Sequence, residues 1–281
     1  MKPVVAIVAA GSMGAAVGRR LVEHGVKVLT LLAGRSARSE ARATAAGMVG
    51  VSVEALVDAD LLLSIVPPAN ALSFAEQTAF ALKSAKKKTV FVDCNAVSPA
   101  TVRHIQAVIA ATGAPFVDGG IIGFPPVPGV PDGPRLYVSG EHTAKVAELA
   151  QYGLDVRLLE GPIGAASALK MAYAGITKGQ VAVVTAMILA AERAGSAAAL
   201  RGELAASEPQ LFATMTKRVP GMFPKAYRWV AEMQEIAEFA REDAAAHAIW
   251  TGISSLYERL AEEKGDEPDD IAVLARFFAD R

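Results

Sequence analysis

The chain has 281 residues, enough for one large domain or two of ordinary size, each with its own core. Its 52% hydrophobic and 6% aromatic content suits packed helices and a buried sheet, and excludes a disordered chain or a disulfide scaffold. A net charge of −1, from 28 basic and 29 acidic residues, supplies no field to attract nucleic acid or an anionic membrane.

In chain order, the first apolar run covers residues 4–8 and reads as a strand. It is followed by Ala9-Ala10-Gly11-Ser12-Met13-Gly14, a G-x-G-x-x-G turn whose first glycine is alanine, and then by a helical stretch over 13–24. In such a turn the middle glycine lets backbone approach a pyrophosphate, and the last lets helix pack on strand. Lys2 and the apolar 3–18 also have the composition of a signal peptide, but the glycine spacing and the amphipathic continuation through Arg19-Arg20 favour the nucleotide turn.

The second strand, 26–32, decides which dinucleotide is expected. It runs into Leu31-Leu32-Ala33-Gly34-Arg35-Ser36 with no acid at its tip, and Arg38 and Arg42 lie beyond. An acid there would accept from free ribose hydroxyls; Arg35 and Ser36 instead offer donors to a 2′-phosphate, so NADP(H) is expected over NAD(H). Further strand-length runs occur at 61–66, 90–92, 115–117 and 136–138, separated by helical stretches at 71–84 and 99–111, the latter with Ser98 as cap and Pro99 at its first position. Apolar runs without alternation, interleaved with helices, predict a doubly wound, parallel α/β Rossmann sheet.

After Gly161-Pro162-Ile163-Gly164 the pattern is helical throughout. One helix over 165–194, stopped at Gly195, would reach about 45 Å. Others are expected at 209–219, 224–241, 243–264 and 269–279. The expected division is a dinucleotide-binding domain, 1–163, and an all-helical substrate and dimerisation domain, 164–281, joined by the long helix. No other run of about 18 uninterrupted strongly apolar residues stands out, so no membrane span is expected. The single Cys94 excludes an internal disulfide and fits a reducing, cytoplasmic setting. His24, His104, His142 and His247 lack ligand spacing, so no metal is expected.

These motifs together resemble the β-hydroxyacid dehydrogenase family, which includes 3-hydroxyisobutyrate and 6-phosphogluconate dehydrogenases. Gly11-Ser12-Met13-Gly14 resembles its G-x-M-G turn, and Ile65-Val66-Pro67 its "-LP" segment near the nicotinamide ribose. Asp93-Cys94-Asn95-Ala96-Val97-Ser98-Pro99 is similar to its substrate motif D-x-S-T-x-S-P, with Asn95 where Ser is common. Asp118-Gly119-Gly120-Ile121-Ile122-Gly123 stands in the place of D-A-P-V-S-G-G, and Gly164 with Lys170 matches G-x-G-x-x-x-K. The resemblance implies that Lys170 is the catalytic acid/base in hydride transfer between a nicotinamide and a carbonyl or alcohol carbon. Residues 167–175 and Arg228-Trp229-Val230-Ala231-Glu232-Met233 look closest to a phosphogluconate-dehydrogenase-like branch.

Departures bear on the substrate. The family's serine–glycine–glycine carboxylate clamp reads Ile122-Gly123-Phe124 here, then Pro125-Pro126, and the asparagines that usually follow the lysine are Tyr173 and Ala174. An apolar pocket at Ile122, Gly123, Phe124 and Tyr173 is therefore expected, with Lys225, Arg228, Glu232 and Glu235 as polar candidates from the helical half. Asn95 is read either as orienting substrate or nicotinamide, or as a helix cap; Lys178, two turns beyond Lys170, either as reaching cofactor or substrate or, preferred, as pairing with an acid. An imine reductase is a competing reading, against which Lys170 counts because those enzymes usually replace it. A sensor that binds NADPH without chemistry is the other. The resemblance, and an Ala- and Val-rich central helix needing more cover than about 120 residues supply, imply a homodimer.

Overall fold

The computed structural model describes residues 2–262 and 269–279. It falls into two compact units, Met1–Met171 and Ala172–Arg281, and the boundary lies inside one continuous helix.

The first unit is built on an eight-stranded sheet in the order β3-β2-β1-β4-β5-β6-β7-β8. In chain order its elements are β1 (Val4–Val8), α1 (Ser12–Glu23), β2 (Lys27–Leu31), α2 (Ala37–Ala45), β3 (Val49–Val51), α3 (Val53–Leu56), β4 (Leu61–Ser64) and α4 (Ala71–Ser84). Then come β5 (Val90–Asp93), α5 (Pro99–Ala110), β6 (Phe116–Ile122), β7 (Arg135–Ser139), α6 (Thr143–Ala147) and β8 (Asp155–Leu158). The first six strands are parallel in the 3-2-1-4-5-6 order of a dinucleotide-binding sheet. Alternate residues of each strand feed opposite cores. Val5, Ile7, Leu61 and Leu63 meet Val17 and Leu21 of α1 on one face; Ala6, Val8, Leu62 and Phe91 meet Phe74, Leu82, Ile105 and Ile109 of α4 and α5 on the other. Burial on both faces is why these strands read as unbroken apolar runs.

Three expectations are corrected. Strand β7 runs antiparallel to β6, so the sheet is mixed. Strands β3 and β8, and helices α2, α3 and α6, were not anticipated; β3 is a three-residue edge and β8 carries Asp155 and Arg157, so neither has an apolar run to betray it. Strand β6 continues past residue 117 to Ile122, with all seven residues buried, through Asp118, Gly119 and Gly120.

The long helix, α7 (Ala165–Arg193), is followed by Gly195 at φ +71°, as its stop signal predicts. By length and composition alone α7 would suffice to cross a membrane. The second unit continues with α8 (Ala197–Ser207), which was not anticipated, α9 (Pro209–Met222), α10 (Ala226–Phe239), α11 (Ala244–Glu262) and α12 (Asp270–Phe278). The expected end of α11 at Lys264 lies outside the described residues. Helices α10 and α11 pack against each other and, with α7, bury Met233, Ile236, Ile253 and Tyr257. Gly175 and Gly179 make room on α7 for the Trp250 ring: a Cβ added at Gly179 would stand 2.8 Å from its Cη2.

Candidate functional site

Sheet register gathers the motifs. Val8, Ser64, Asp93 and Asp118 are successive partners across β1, β4, β5 and β6, so the segments that leave β1, β4 and β5 emerge side by side at the carboxyl ends, next to β6, which runs on to Ile122. Three strand spacings of about 4.8 Å make this row roughly 14 Å wide, and it starts at the topological switch point where dinucleotides bind such sheets.

At one end lies the glycine turn. Gly11 is the N-cap of α1, with Ser12 and Met13 beginning the helix. A Cβ placed on Gly11 would meet nothing within 4 Å, whereas one on Gly14 would stand 2.0 Å from the Ala9 carbonyl oxygen. Gly14 therefore seats the helix on the strand, while Gly11 leaves open space beside helix N–H groups, a cradle suited to a phosphate. Beyond β2, Gly34 turns the chain at φ +73°, and Arg35 lines a pocket of about 250 Å³ together with Ala33, Val66, Asn70, Ser73 and Gln77. Ser36 is not free to serve a ligand alone: its Oγ caps α2 by accepting from the Ser39 N–H. Arg42 returns from α2 to donate 3.0 Å to the Ala10 carbonyl, bracing the glycine turn from behind.

In the middle of the row, Asn95 is 2% exposed. Its Oδ1 accepts from the Val66 N–H at 2.7 Å, and its Nδ2 donates to Ser64 Oγ and Asp93 Oδ2 at 2.9 Å each. Both amide hydrogens are thus spent on protein, and Asn95 works as a clamp holding the Val66-Pro67 segment to the end of β5. It does not cap α5, a role taken by Ser98, which accepts from the Thr101 N–H. Cys94 is buried beside it. Burial, then the charges of Asp93 and Asp118, push its thiol well above the ordinary range, so it stays protonated and unreactive.

At the far end, Lys170 sits half-buried on the first part of α7, and among the described residues its ammonium has no hydrogen-bond or ion-pair partner. The helix lies against Gly120: a Cβ there would meet the Ala166 carbonyl at 2.8 Å and Lys170 Cβ at 3.3 Å. That close approach explains glycine inside a buried strand. Ile122 is 6% exposed, Gly123 has φ +128°, and Phe124 is 84% exposed. The chain after Phe124 is anchored by Arg20 of α1, a residue that sequence reasoning missed. Its buried guanidinium donates to the carbonyls of Val130 at 2.6 Å and Pro131 at 3.0 Å, with longer contacts to Val127 and Gly153.

In the second unit, Tyr173 is 47% exposed on α7. Lys225 precedes α10, and Arg228 is an exposed residue whose guanidinium lies 5.6 Å from the Tyr227 ring centroid. Lys178 forms an ion pair with Glu232 and lies 5.0 Å from the Trp229 ring centroid. The Tyr257 hydroxyl donates 2.7 Å to the Lys178 carbonyl.

Comparison with known proteins agrees with this geometry. Residues 4–152 match the model of the NAD binding domain of 6-phosphogluconate dehydrogenase, and residues 191–260 match a domain of unknown function. An uncharacterized 28.5 kDa protein of Methanothermus fervidus is 29% identical over 220 residues, 76% of this chain and 82% of its own length. The mitochondrial 3-hydroxyisobutyrate dehydrogenase of Drosophila melanogaster is 26% identical over 136 residues, covering 48% of this chain and 41% of that enzyme. Among solved structures, a conserved protein of unknown function, described as similar to 3-hydroxyacid dehydrogenases, superposes with a TM-score of 0.68 at 28% identity, covering 91% of this chain and 96% of its own.

Proposed function

Because the chain belongs to the family of the NAD binding domain of 6-phosphogluconate dehydrogenase, within the β-hydroxyacid dehydrogenases, we propose that it is an NADP(H)-dependent oxidoreductase in which Lys170 is the acid/base. The observation that carries this reading is the row of strand ends, with an open phosphate cradle at Gly11 and an unpaired lysine at the opposite end. The residues fit a dinucleotide. Gly11, Ser12, Met13 and Gly14 would hold the pyrophosphate, Arg35 with Ser36 the 2′-phosphate, and Val66 with Pro67, fixed by Asn95, the nicotinamide ribose.

When bound, the nicotinamide supplies or takes up the hydride. Lys170 Nζ gives a proton to the substrate oxygen in reduction and receives it in oxidation, a task that needs an ammonium free of other partners. Ile122, Gly123, Phe124 and Tyr173 would favour a carbonyl compound less charged than a small hydroxyacid, with Lys225 and Arg228 as the polar candidates. The compartment that suits the lone buried thiol is the cytoplasm. The second unit would carry the dimer contact: Tyr173, Ile176, Val183 and Met187, spaced along α7, are each about half exposed or more, an apolar stripe suited to a second copy. Light scattering at micromolar concentration checks this; a monomer refutes it.

The function is tested by NADPH oxidation with pyruvate, succinic semialdehyde, benzaldehyde and 1-pyrroline. Lys170→Met is expected to keep NADPH affinity and cut carbonyl turnover by about 10²–10⁴. Arg35→Ala is expected to weaken NADPH by roughly 10- to 100-fold, one charge-assisted contact, and leave NADH almost untouched. Unchanged turnover, or equal losses for both cofactors, refutes the respective part. Preference for 1-pyrroline would favour an imine reductase, and binding without any oxidation a sensor.

A further inference from the structure

Asp118 is a fully buried carboxylate on β6, between parallel β5 and antiparallel β7, a position that no apolar packing argument explains. A buried carboxylate is expensive unless donors surround it. Five do. Ser139 Oγ, and the backbone N–H groups of Gly164, Ala166 and Ser167, reach Oδ2 at 2.9–3.1 Å, and Ser167 Oγ reaches Oδ1 at 2.7 Å. Ser139 reinforces the arrangement by accepting a second bond from the Ala166 N–H at 3.1 Å.

All of these donors but Ser139 belong to the start of α7. The first N–H groups of a helix lack partners within it, and their partial positive charge favours an anion. An ordinary cap comes from the residue just before the helix; here it comes from a strand residue 46–49 positions away. The remaining first-turn donors are also spoken for, Ala165 N–H by Pro162 and Ala168 N–H by Gly164. The carboxylate therefore fixes not only the helix end but also its place on β6. Two residues further along the same strand, Gly120 presents no side chain, and the helix backbone rests on it through Ala166 and Lys170. Ala166 and Lys170 are one turn apart and share a face. Ser167 precedes Lys170 by three residues, about 4.5 Å of rise.

We propose that Asp118 is a positioning residue for Lys170: together with Gly120, it sets the depth and rotation of the first turn of α7 and so fixes where the lysine side chain leaves the helix. The proposal rests on the reading of Lys170 as acid/base. Asp118 itself touches neither cofactor nor substrate in this scheme. Its contribution is geometric, and an error of about 1 Å at a reacting group can cost about 100-fold in rate.

The test is a cycle of four proteins, the wild type, Asp118→Asn, Lys170→Met and the double variant, with Ser167→Ala, alone and combined with Lys170→Met, as a milder change that keeps the charge. Each is read for NADPH affinity by fluorescence titration, hydrogen exchange of the 165–171 amides, and kcat and KM for NADPH oxidation with the fastest of the four probes above. Asp118→Asn is expected to raise exchange in that segment and to lower kcat about 10- to 100-fold, with KM and NADPH affinity changed by less than about threefold. Ser167→Ala is expected to lower kcat about two- to fivefold. In the Lys170→Met background neither substitution lowers kcat further, whereas a merely structural defect would lower it by the same factor in both. Equal factors in both backgrounds, or wild-type kcat in Asp118→Asn, overturn the proposal while leaving Lys170 as acid/base. If Asp118→Asn does not fold, Ser167→Ala decides by the same comparison. Wild-type kcat in Lys170→Met, or no oxidation of any probe by the wild type, overturns the acid/base reading and the positioning role with it.

Discussion

The two glycines of the nucleotide turn differ in what surrounds them, and alanine substitutions should separate packing from binding. At Gly14 a new methyl carbon would stand 2.0 Å from the Ala9 carbonyl oxygen, 3.1 Å from its carbon and 3.4 Å from Ile7 Cγ2. A carbon and a carbonyl oxygen keep about 3.3 Å apart, so strand end and helix must separate by about 1.3 Å, and the obstruction is backbone that no rotamer relieves. Overpacking of that kind costs about 1–3 kcal/mol, against which alanine's better helix propensity returns at most about 1 kcal/mol. A 2.0 Å backbone overlap belongs at the upper end of that cost, a net of about 2 kcal/mol, so Gly14→Ala is expected to lower the thermal midpoint by about 4–8 °C, at 2–4 °C per kcal/mol, and to weaken NADPH, since the helix N-terminus moves with it. Gly11 has an extended backbone that any residue adopts and no neighbour within 4 Å of the new methyl. Gly11→Ala should change stability by less than about 1 kcal/mol, yet weaken NADPH about tenfold or more by filling the cradle. Differential scanning fluorimetry and fluorescence titration on the same samples measure both quantities. A Gly14→Ala protein with wild-type midpoint, or a Gly11→Ala protein with wild-type affinity, would refute the assignment of the two roles.

In the helical unit, Lys178→Met removes the cation beside Glu232, a carboxylate 7% exposed whose Oε1 has no hydrogen-bond partner among the described residues. A loss of about 3 kcal/mol is expected in urea denaturation at pH 7, the usual result of stripping a buried ion of its partner. Wild-type stability would show the pair to be solvated. Burial, then the Glu232 charge, hold the Tyr257 hydroxyl above its ordinary range, so the unfolded chain gives up this proton first as pH rises. Its contribution is complete below about pH 10 and declines above it by up to about 1.4 kcal/mol per pH unit. Tyr257→Phe should cost about 1 kcal/mol at pH 7 and flatten the loss of stability between pH 10 and 11. An unchanged alkaline slope would falsify this.

The parts of the fold legible in sequence were those with contiguous apolar stretches. Strands β1, β2, β4 and β5 lie in the sheet interior and bury both faces, and α7 carries no proline and stops at a glycine. Edge strands were illegible because an edge need not be apolar: β8 pairs on one side with β7 and leaves Arg157 exposed. Strand β6 was cut short because Asp118, Gly119 and Gly120 break its apolar run, although both glycines answer close contacts, with Asp93 and Cys94 on one side and α7 on the other. The glycine turn could be found by spacing, and Lys170 was singled out by resemblance to a family motif. The work of Asn95 and Asp118 could not be found in either way, since all their partners but Asp93 lie 21 to 49 residues away. One signal was present for Asp118: an acid followed by buried strand residues demands donors from elsewhere in the chain.

Arg20 holds the segment after Phe124 entirely through main-chain oxygens, those of Val127, Val130 and Pro131. A grip on carbonyls is indifferent to what side chains the gripped residues carry. Val127 and Val130, 55% and 44% exposed, can be exchanged for polar or bulky residues with every acceptor still in place. The same holds for Phe124, which contributes nothing to the anchor. The segment therefore keeps its path whatever side chains it presents, and its surface is open to redesign without rebuilding the loop.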